Sequence, residues 1–116
     1  MSEKSSGYQH PADLAYARQL ISLAPAEAQG FLALKNTAER EDGAIPAKYR
    51  ELISIAVALT TQCAYCLDTH NKNAIKAGAT KAEIAEVVFI AAALRAGAAV
   101  GHGLLAMRLF DEVAGQ

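Results

Sequence analysis

Apolar residues recur every three or four positions along most of the chain, which is the spacing of one face of an α-helix. The clearest stripe follows Pro46 and consists of Tyr49, Leu52, Ile53, Ala56, Val57 and Thr60. No stretch alternates polar and apolar residues between turn signals, as a half-buried strand would. The pattern therefore predicts an all-α fold with about six helices.

Proline, glycine and capping residues mark the ends of several of these helices. Pro25 and Pro46 stand where the first turn of a helix tolerates a missing N–H. Gly78 supplies a left-handed cap at the end of one helix. The segment Thr80-Lys81-Ala82-Glu83 is a capping box, which indicates that another helix begins there.

The two ends of the chain differ from this regular middle. Residues 1–10 are polar, and we expect them to form a flexible arm. Glycines at 97, 101 and 103 loosen the helical pattern before it resumes over 104–113, so we expect two C-terminal helices there. Residues 11–116 should form a single domain, a compact helical bundle.

Composition and charge exclude several classes of function. The chain has 116 residues and a net charge of −1, so it lacks the basic surface that nucleic-acid binding requires. We identify no secretory leader and no apolar run of about 18 to 20 residues, which favours a cytoplasmic protein without a membrane partner. Apolar residues make up 53% of the chain but aromatic ones only 6%, and many of the others are alanine. Because alanine buries little area, we expect a homo-oligomer.

The candidate chemistry is concentrated in Cys63-Ala64-Tyr65-Cys66-Leu67-Asp68-Thr69-His70. On a helix, Cys66 and His70 are neighbours one turn apart, whereas Cys63 lies about 10 Å from His70 along the axis. Glu51 comes level with His70 if the chain reverses midway between them and the two helices run antiparallel. We therefore expect a helical hairpin that brings the acid, the imidazole and the cysteine pair together.

Such a hairpin has the components of thiol redox chemistry. The carboxylate of Glu51 would orient His70, which would take the proton of Cys66. The thiolate would attack a peroxide and become a sulfenic acid, and Cys63 would condense with it into a disulfide. An external dithiol would then reopen that disulfide. The prediction is a dithiol peroxidase, with no cofactor and no resident metal.

Other interpretations of the same residues stay open. The cysteine pair with His70 and His102 would give a Cys2His2 zinc set, although no second closely spaced ligand pair follows. The two cysteines would also pack as inert thiols one turn apart on a buried helix. His102 either faces the site or only fills the bend between two glycines. Tyr65 either donates a hydrogen bond to the site or only packs.

Glu51, Cys63, Cys66 and His70 together form the pattern E-x11-C-x2-C-x3-H. Over residues 44–109 the chain resembles the alkyl hydroperoxidase D-like (AhpD-like) group of the carboxymuconolactone decarboxylase superfamily. The resemblance implies an all-helical fold in which Cys66 is the peroxidatic cysteine, Cys63 the resolving one, and the Glu51–His70 pair the proton relay. It also implies a trimer or hexamer, reduced by a lipoylated or thioredoxin-like protein.

The sequence departs from the better-studied members of that group in two respects. They carry a histidine within the C-x-x-C where this chain has Tyr65, and they are longer. A cofactor-free decarboxylase acting on a lactone acid is the other activity of the superfamily, and that chemistry needs no cysteine pair. A redox-responsive or metal-binding oligomeric module is the non-enzymatic alternative.

Overall fold

A computed structural model describes residues 7–116, and every regular element in that range is helical. A 3-10 helix, Pro11–Tyr16, leads directly into α1. The α-helices are α1 Ala17–Leu23, α2 Pro25–Ala38, α3 Ala47–Thr61, α4 Ala64–Lys76 and α5 Lys81–Ala114. The all-α prediction is confirmed. Most of the predicted flexible arm, residues 1–6, lies outside the described residues.

The number of helices differs slightly from the six expected. Within residues 7–116 there are five α-helices and one 3-10 helix, because α5 continues for 34 residues through all three of its glycines. A glycine inside a helix costs only about 1 kcal/mol relative to alanine, and the helix formers around these positions offset that cost. The predicted break before 104–113 was wrong for this reason.

The junction between α4 and α5 has the predicted caps. Gly78 adopts a φ of +93°, the left-handed conformation that favours glycine. The hydroxyl of Thr80 accepts the N–H of Glu83 at 3.1 Å, and the Glu83 carboxylate accepts the N–H of Thr80 at 2.8 Å. The other carboxylate oxygen of Glu83 accepts a hydrogen bond from Lys48 at 2.9 Å, which ties the start of α5 to the start of α3.

Helices α3 and α4 form the predicted hairpin. The chain reverses at Gln62, whose φ of 59° and ψ of 49° are left-handed, a conformation uncommon for a residue other than glycine. Ile55 of α3 and Ala74 of α4 are fully buried against each other and against Val87 of α5. The core therefore lies where the hairpin meets the first half of α5.

The second half of α5 extends away from this core. Beyond Ala91, no residue of α5 is buried. The molecule measures 63 × 37 × 37 Å, with a radius of gyration of 19.3 Å. A compact domain of about 100 residues has a radius of gyration near 13 Å, so the bundle is less compact than the sequence indicated.

Helix α5, Lys81–Ala114, is long and apolar enough to cross a membrane, and little of its apolar stretch is buried. The sequence prediction did not include α5 because Arg95 and three glycines interrupt its apolar residues. Length and composition alone are weak evidence for a membrane span, since the core helices of soluble proteins pass the same test.

Candidate active site

Cys63 and Cys66 are joined by a disulfide at the start of α4. Cys63 is the N-cap of that helix, and its sulfur accepts the backbone N–H of Cys66 at 3.2 Å. The first N–H groups of a helix have no partner within the helix, and together with its dipole they favour negative charge. The position therefore suits a sulfur that alternates between a disulfide and a thiolate.

Glu51 and His70 meet across the α3–α4 hairpin, as their spacing predicted. Glu51 Oε1 lies 2.6 Å from Nδ1 of His70, and the two residues are only 9% and 7% exposed. An ionised carboxylate can only accept a hydrogen bond, so Nδ1 donates to it. Because little water competes for either group, this contact fixes the orientation of the ring.

The ring of His70 lies between two carboxylates. Nδ1 faces Glu51, and Nε2 lies 3.7 Å from Oε2 of Glu39. Within residues 7–116, no hydrogen bond joins either ring nitrogen to the sulfur of Cys66, which is bonded to Cys63 in this form. The four-residue spacing of Cys66 and His70 predicted that they lie one turn apart. It gave no indication of the second carboxylate, that of Glu39.

The Tyr65 side chain contacts the N-terminal segment. Its hydroxyl donates to Oδ2 of Asp13 at 2.6 Å, and the same oxygen accepts the backbone N–H of His10 at 3.1 Å. The hydrogen bond from Tyr65 lowers the pKa of the Asp13 carboxyl, and the bond to Asp13 raises the pKa of the Tyr65 phenol. This contact joins residues 52 positions apart, which no local sequence pattern reveals.

His102 is not brought to the hairpin in this chain. It is exposed on α5, about two turns beyond Arg95, whose guanidinium donates to the carbonyl oxygen of Thr60 at the end of α3. Over residues 7–116, no group of three or more His, Cys, Asp or Glu side chains is arranged to hold a metal ion. The Cys2His2 alternative therefore finds no support in the described part of the chain.

A polar cavity of about 410 Å³ opens beside the carboxylates. Its walls include Glu39, Arg50, Glu51, Asn73 and Lys76. Asn73 follows His70 on α4, whereas Cys66 precedes it by one turn, so the cavity and the disulfide lie on opposite sides of the ring along the helix axis. The Glu51 carboxylate thus links a buried imidazole to a space that water can enter.

The sequence is similar to those of known proteins. A family model described as the carboxymuconolactone decarboxylase family matches residues 25–109. A Paracoccus denitrificans protein described as uncharacterized protein 4 in cox locus is 42% identical over 85 residues, which cover 73% of this chain and 76% of that protein.

Two solved structures have a similar fold. A carboxymuconolactone decarboxylase family protein from Legionella pneumophila, crystallised in its apo form, has a TM-score of 0.64 at 30% identity, over 70% of this chain and 71% of that chain. A Methanobacterium thermoautotrophicum protein has a TM-score of 0.69 at 30% identity, over 78% of this chain and 98% of that chain. The region matched by the family model, residues 25–109, contains the whole α3–α4 hairpin.

Proposed function

Because the chain belongs to the carboxymuconolactone decarboxylase family, we propose that it acts as an AhpD-like dithiol peroxidase on hydrogen peroxide or organic hydroperoxides. The observation that carries this proposal is the buried 2.6 Å contact between Glu51 and His70, one turn of α4 from the Cys63–Cys66 disulfide. Burying a carboxylate and an imidazole carries a desolvation cost that a purely structural hairpin could avoid. A proton acceptor beside a thiol pair is what the chemistry needs.

In the proposed reaction, the two thiols supply the two electrons that reduce one peroxide. His70 takes the proton of Cys66, and the thiolate attacks the hydroperoxide oxygen that bears the hydrogen, which breaks the O–O bond. Cys66 becomes a sulfenic acid, and the departing alkoxide or hydroxide takes the proton held by His70. The thiol of Cys63 then attacks the sulfenic sulfur, so that an S–S bond forms and water leaves.

The proton transfer must span one helical turn. In the disulfide form both ring nitrogens of His70 face carboxylates, so a water molecule or a rotation of the ring has to connect His70 to the reduced Cys66. A dithiol protein of the lipoylated or thioredoxin-like kind would return the two electrons by thiol–disulfide exchange. This cycle fits a cytoplasmic location, where such reductants keep thiols reduced.

Peroxide consumption with dithiothreitol as the reductant tests the proposal. We expect turnover by the parent protein and none by Cys66→Ser. After the reductant has been removed, we expect reduced Cys63→Ser to consume one equivalent of peroxide and to stop at a sulfenic acid on Cys66, which dimedone would trap. Consumption of peroxide by Cys66→Ser at the parent rate would overturn the assignment.

We also propose that the protein works as a homo-oligomer, a trimer or hexamer, in which other copies cover α5. The chain exposes 9207 Å², whereas a folded monomer of 12.2 kDa exposes about 6,000 Å². The excess of about 3,000 Å² is in the range that obligate homo-oligomers bury. The side chains available for this contact include Leu94, Val100, Leu104, Met107 and Phe110, each 67% to 71% exposed.

Cofactor-free decarboxylation is a second candidate, and one observation favours it. The cavity beside Glu51 also contains Lys76 and Arg50, and such cations can hold the carboxylate of an acid substrate. That reaction would not involve the cysteines. Release of carbon dioxide from a lactone acid by a Cys63→Ser/Cys66→Ser double variant, without peroxide turnover by the parent, would favour decarboxylation over the peroxidase.

A further inference from the structure

Glu39, the first residue after α2, contributes a carboxylate to the surroundings of His70 that the E-x11-C-x2-C-x3-H pattern does not include. Its Oε2 lies 3.7 Å from Nε2 of His70, on the other side of the ring from Glu51. This distance is within ion-pair range and just beyond a direct hydrogen bond. Each nitrogen of the imidazole therefore has its own carboxylate.

Two contacts hold Glu39 in this position. Lys35 Nζ binds Oε1 of Glu39 at 2.9 Å, which leaves Oε2 to face the ring. Arg50 Nη1 donates to the carbonyl oxygen of Ala38 at 2.6 Å and so anchors the end of α2 to α3. Because Arg50 is adjacent to Glu51 in the sequence, the same turn of α3 supports both carboxylates.

The loop between α2 and α3 leaves room for this anchor. A Cβ atom at Gly43 would lie 1.7 Å from Nη2 of Arg50, so any side chain there would displace the guanidinium. Arg50 also donates through Nε to the carbonyl oxygen of Ile45 at 2.9 Å, which keeps the guanidinium within the loop. The placement of Glu39 is thus built by several residues and is not a chance position of one flexible side chain.

We propose that Glu39 is a positioning residue that stabilises the protonated ring of His70 and thereby favours the thiolate of Cys66. When His70 takes the thiol proton, the ring becomes a cation with an N–H on each nitrogen. Glu51 stands to accept one N–H and Glu39 attracts the other, and an opposite charge this close favours the charged form. The inference rests on the proposed function, because it assigns a role within the same proton relay.

The charged groups around His70 come from three elements. Glu51 projects from α3 and Glu39 from the end of α2, while Lys35 of α2 reaches the ring only through Glu39. On α4 itself, the nearby Asp68 and Lys72 pair with each other at 3.1 Å. Replacing Glu39 therefore removes one of the two carboxylates that contact the ring and leaves the other in place.

Alkylation of Cys66 by iodoacetamide, followed across pH in reduced protein carrying Cys63→Ser, tests the inference without peroxide. In Glu39→Gln we expect the midpoint of the pH–rate curve to move up by roughly half to one pH unit, because the thiolate–imidazolium pair loses a stabilising charge. The matched control is Glu41→Gln, since Glu41 lines the same cavity but does not contact His70. An unshifted midpoint in Glu39→Gln would overturn the inference.

A second variant tests the role of Glu39 if Glu39→Gln does not fold. Lys35→Met removes the cation that neutralises Glu39, so we expect the midpoint to move to lower pH; an unchanged or higher midpoint would overturn the inference. The alkylation measurement also separates the two proposals. Expected shifts in a protein that does not turn over peroxide would reject the peroxidase and keep Glu39 as a determinant of thiol reactivity.

Discussion

The α3–α4 hairpin and the second half of α5 differ in which side chains they bury: the hairpin buries charged groups, and the second half of α5 exposes apolar ones. In the hairpin, Glu51 and His70 are buried. On α5, Val100, Leu104 and Phe110 are 69% to 71% exposed. Folding normally buries apolar groups and leaves charges in water, so each region departs from the usual distribution and needs a physical cause.

The hairpin satisfies its own polar groups, whereas the second half of α5 would need the proposed partner copies to cover its apolar side chains. Over residues 7–116, no buried side-chain nitrogen or oxygen lacks a hydrogen-bond partner, so the hairpin satisfies its polar groups internally. The apolar side chains in the second half of α5 have no such cover from the other elements of residues 7–116. Substitutions in the hairpin should therefore change chemistry, and substitutions on distal α5 should change assembly.

Replacement of His70 should have the largest effect on the chemistry of the hairpin. His70→Gln removes the proposed proton acceptor, and we expect the rate of peroxide consumption to fall by about 100-fold or more. The control is His102→Gln, which changes an exposed histidine on α5 and should keep the parent rate. Similar losses in both variants would break the proposed contrast between the two regions.

Replacement of Leu104 should have the largest effect on assembly. Leu104→Glu places a charge on the exposed apolar face of α5, and we expect it to convert an oligomer into smaller species in analytical ultracentrifugation. The alkylation rate of reduced Cys66 should stay within about twofold of the parent. The control is Lys81→Gln at the exposed start of α5. A parent protein that sediments as a monomer, or that moves onto lipid vesicles, would contradict the proposed oligomer.

Local spacing predicted the hairpin well because its elements lie close together in the sequence. The chain reverses direction once between Glu51 and His70. The helical period then places the two side chains opposite each other across the hairpin. Gly78 and the capping box at Thr80 also act within a few residues. In such places the chemistry of individual residues determines the structure.

Contacts that depend on how helices pack could not be predicted from local spacing. The Tyr65–Asp13 bond and the Glu39–His70 pair connect residues far apart in sequence that share no periodic pattern. The continuity of α5 differs from the prediction for another reason: three glycines indicate a break in the pattern, but the energetic cost of glycine inside a helix is small.

The contact between Tyr65 and Asp13 should matter for the N-terminal segment rather than for catalysis. Tyr65→Phe removes the hydrogen bond, so we expect faster hydrogen–deuterium exchange over residues 11–16 and a peroxide rate within about threefold of the parent. Phe replaces only the hydroxyl, which keeps the ring in place. A loss of activity comparable to that of His70→Gln would show that the hydroxyl takes part in the chemistry.

The same contact should depend on pH at both extremes. The pKa of the Asp13 carboxyl is lowered in the folded protein, so the stabilisation is present above pH of about 4 and is lost as the carboxylate is protonated. The pKa of Tyr65 is raised, so the stabilisation is present below pH of about 10 and is lost as the phenol ionises at higher pH. The difference in exchange between parent and Tyr65→Phe should therefore be largest between these limits. A difference that stays constant into strong acid would contradict this assignment.

Replacement of Gly78, which lies between α4 and α5, should have the smallest effect, and that effect should be on stability. Its φ of +93° suits glycine, and a Cβ there would meet no atom within 4 Å, so Gly78→Ala should cost only backbone strain, about 1 to 2 kcal/mol in urea unfolding. Gly30→Ala in the exposed interior of α2 is the matched control and should stabilise by up to about 1 kcal/mol. Equal effects of the same sign would contradict the left-handed cap.

The most direct test of the central claim is a single-turnover measurement of thiol loss in the reduced parent and in Glu51→Gln. With one equivalent of peroxide, the parent should lose both thiols and form the Cys63–Cys66 disulfide. Glu51→Gln should lose the same two thiols about 100-fold more slowly, because the ring of His70 has lost its buried carboxylate. Equal rates in the two proteins, or thiols in the parent that persist in peroxide, would contradict the account.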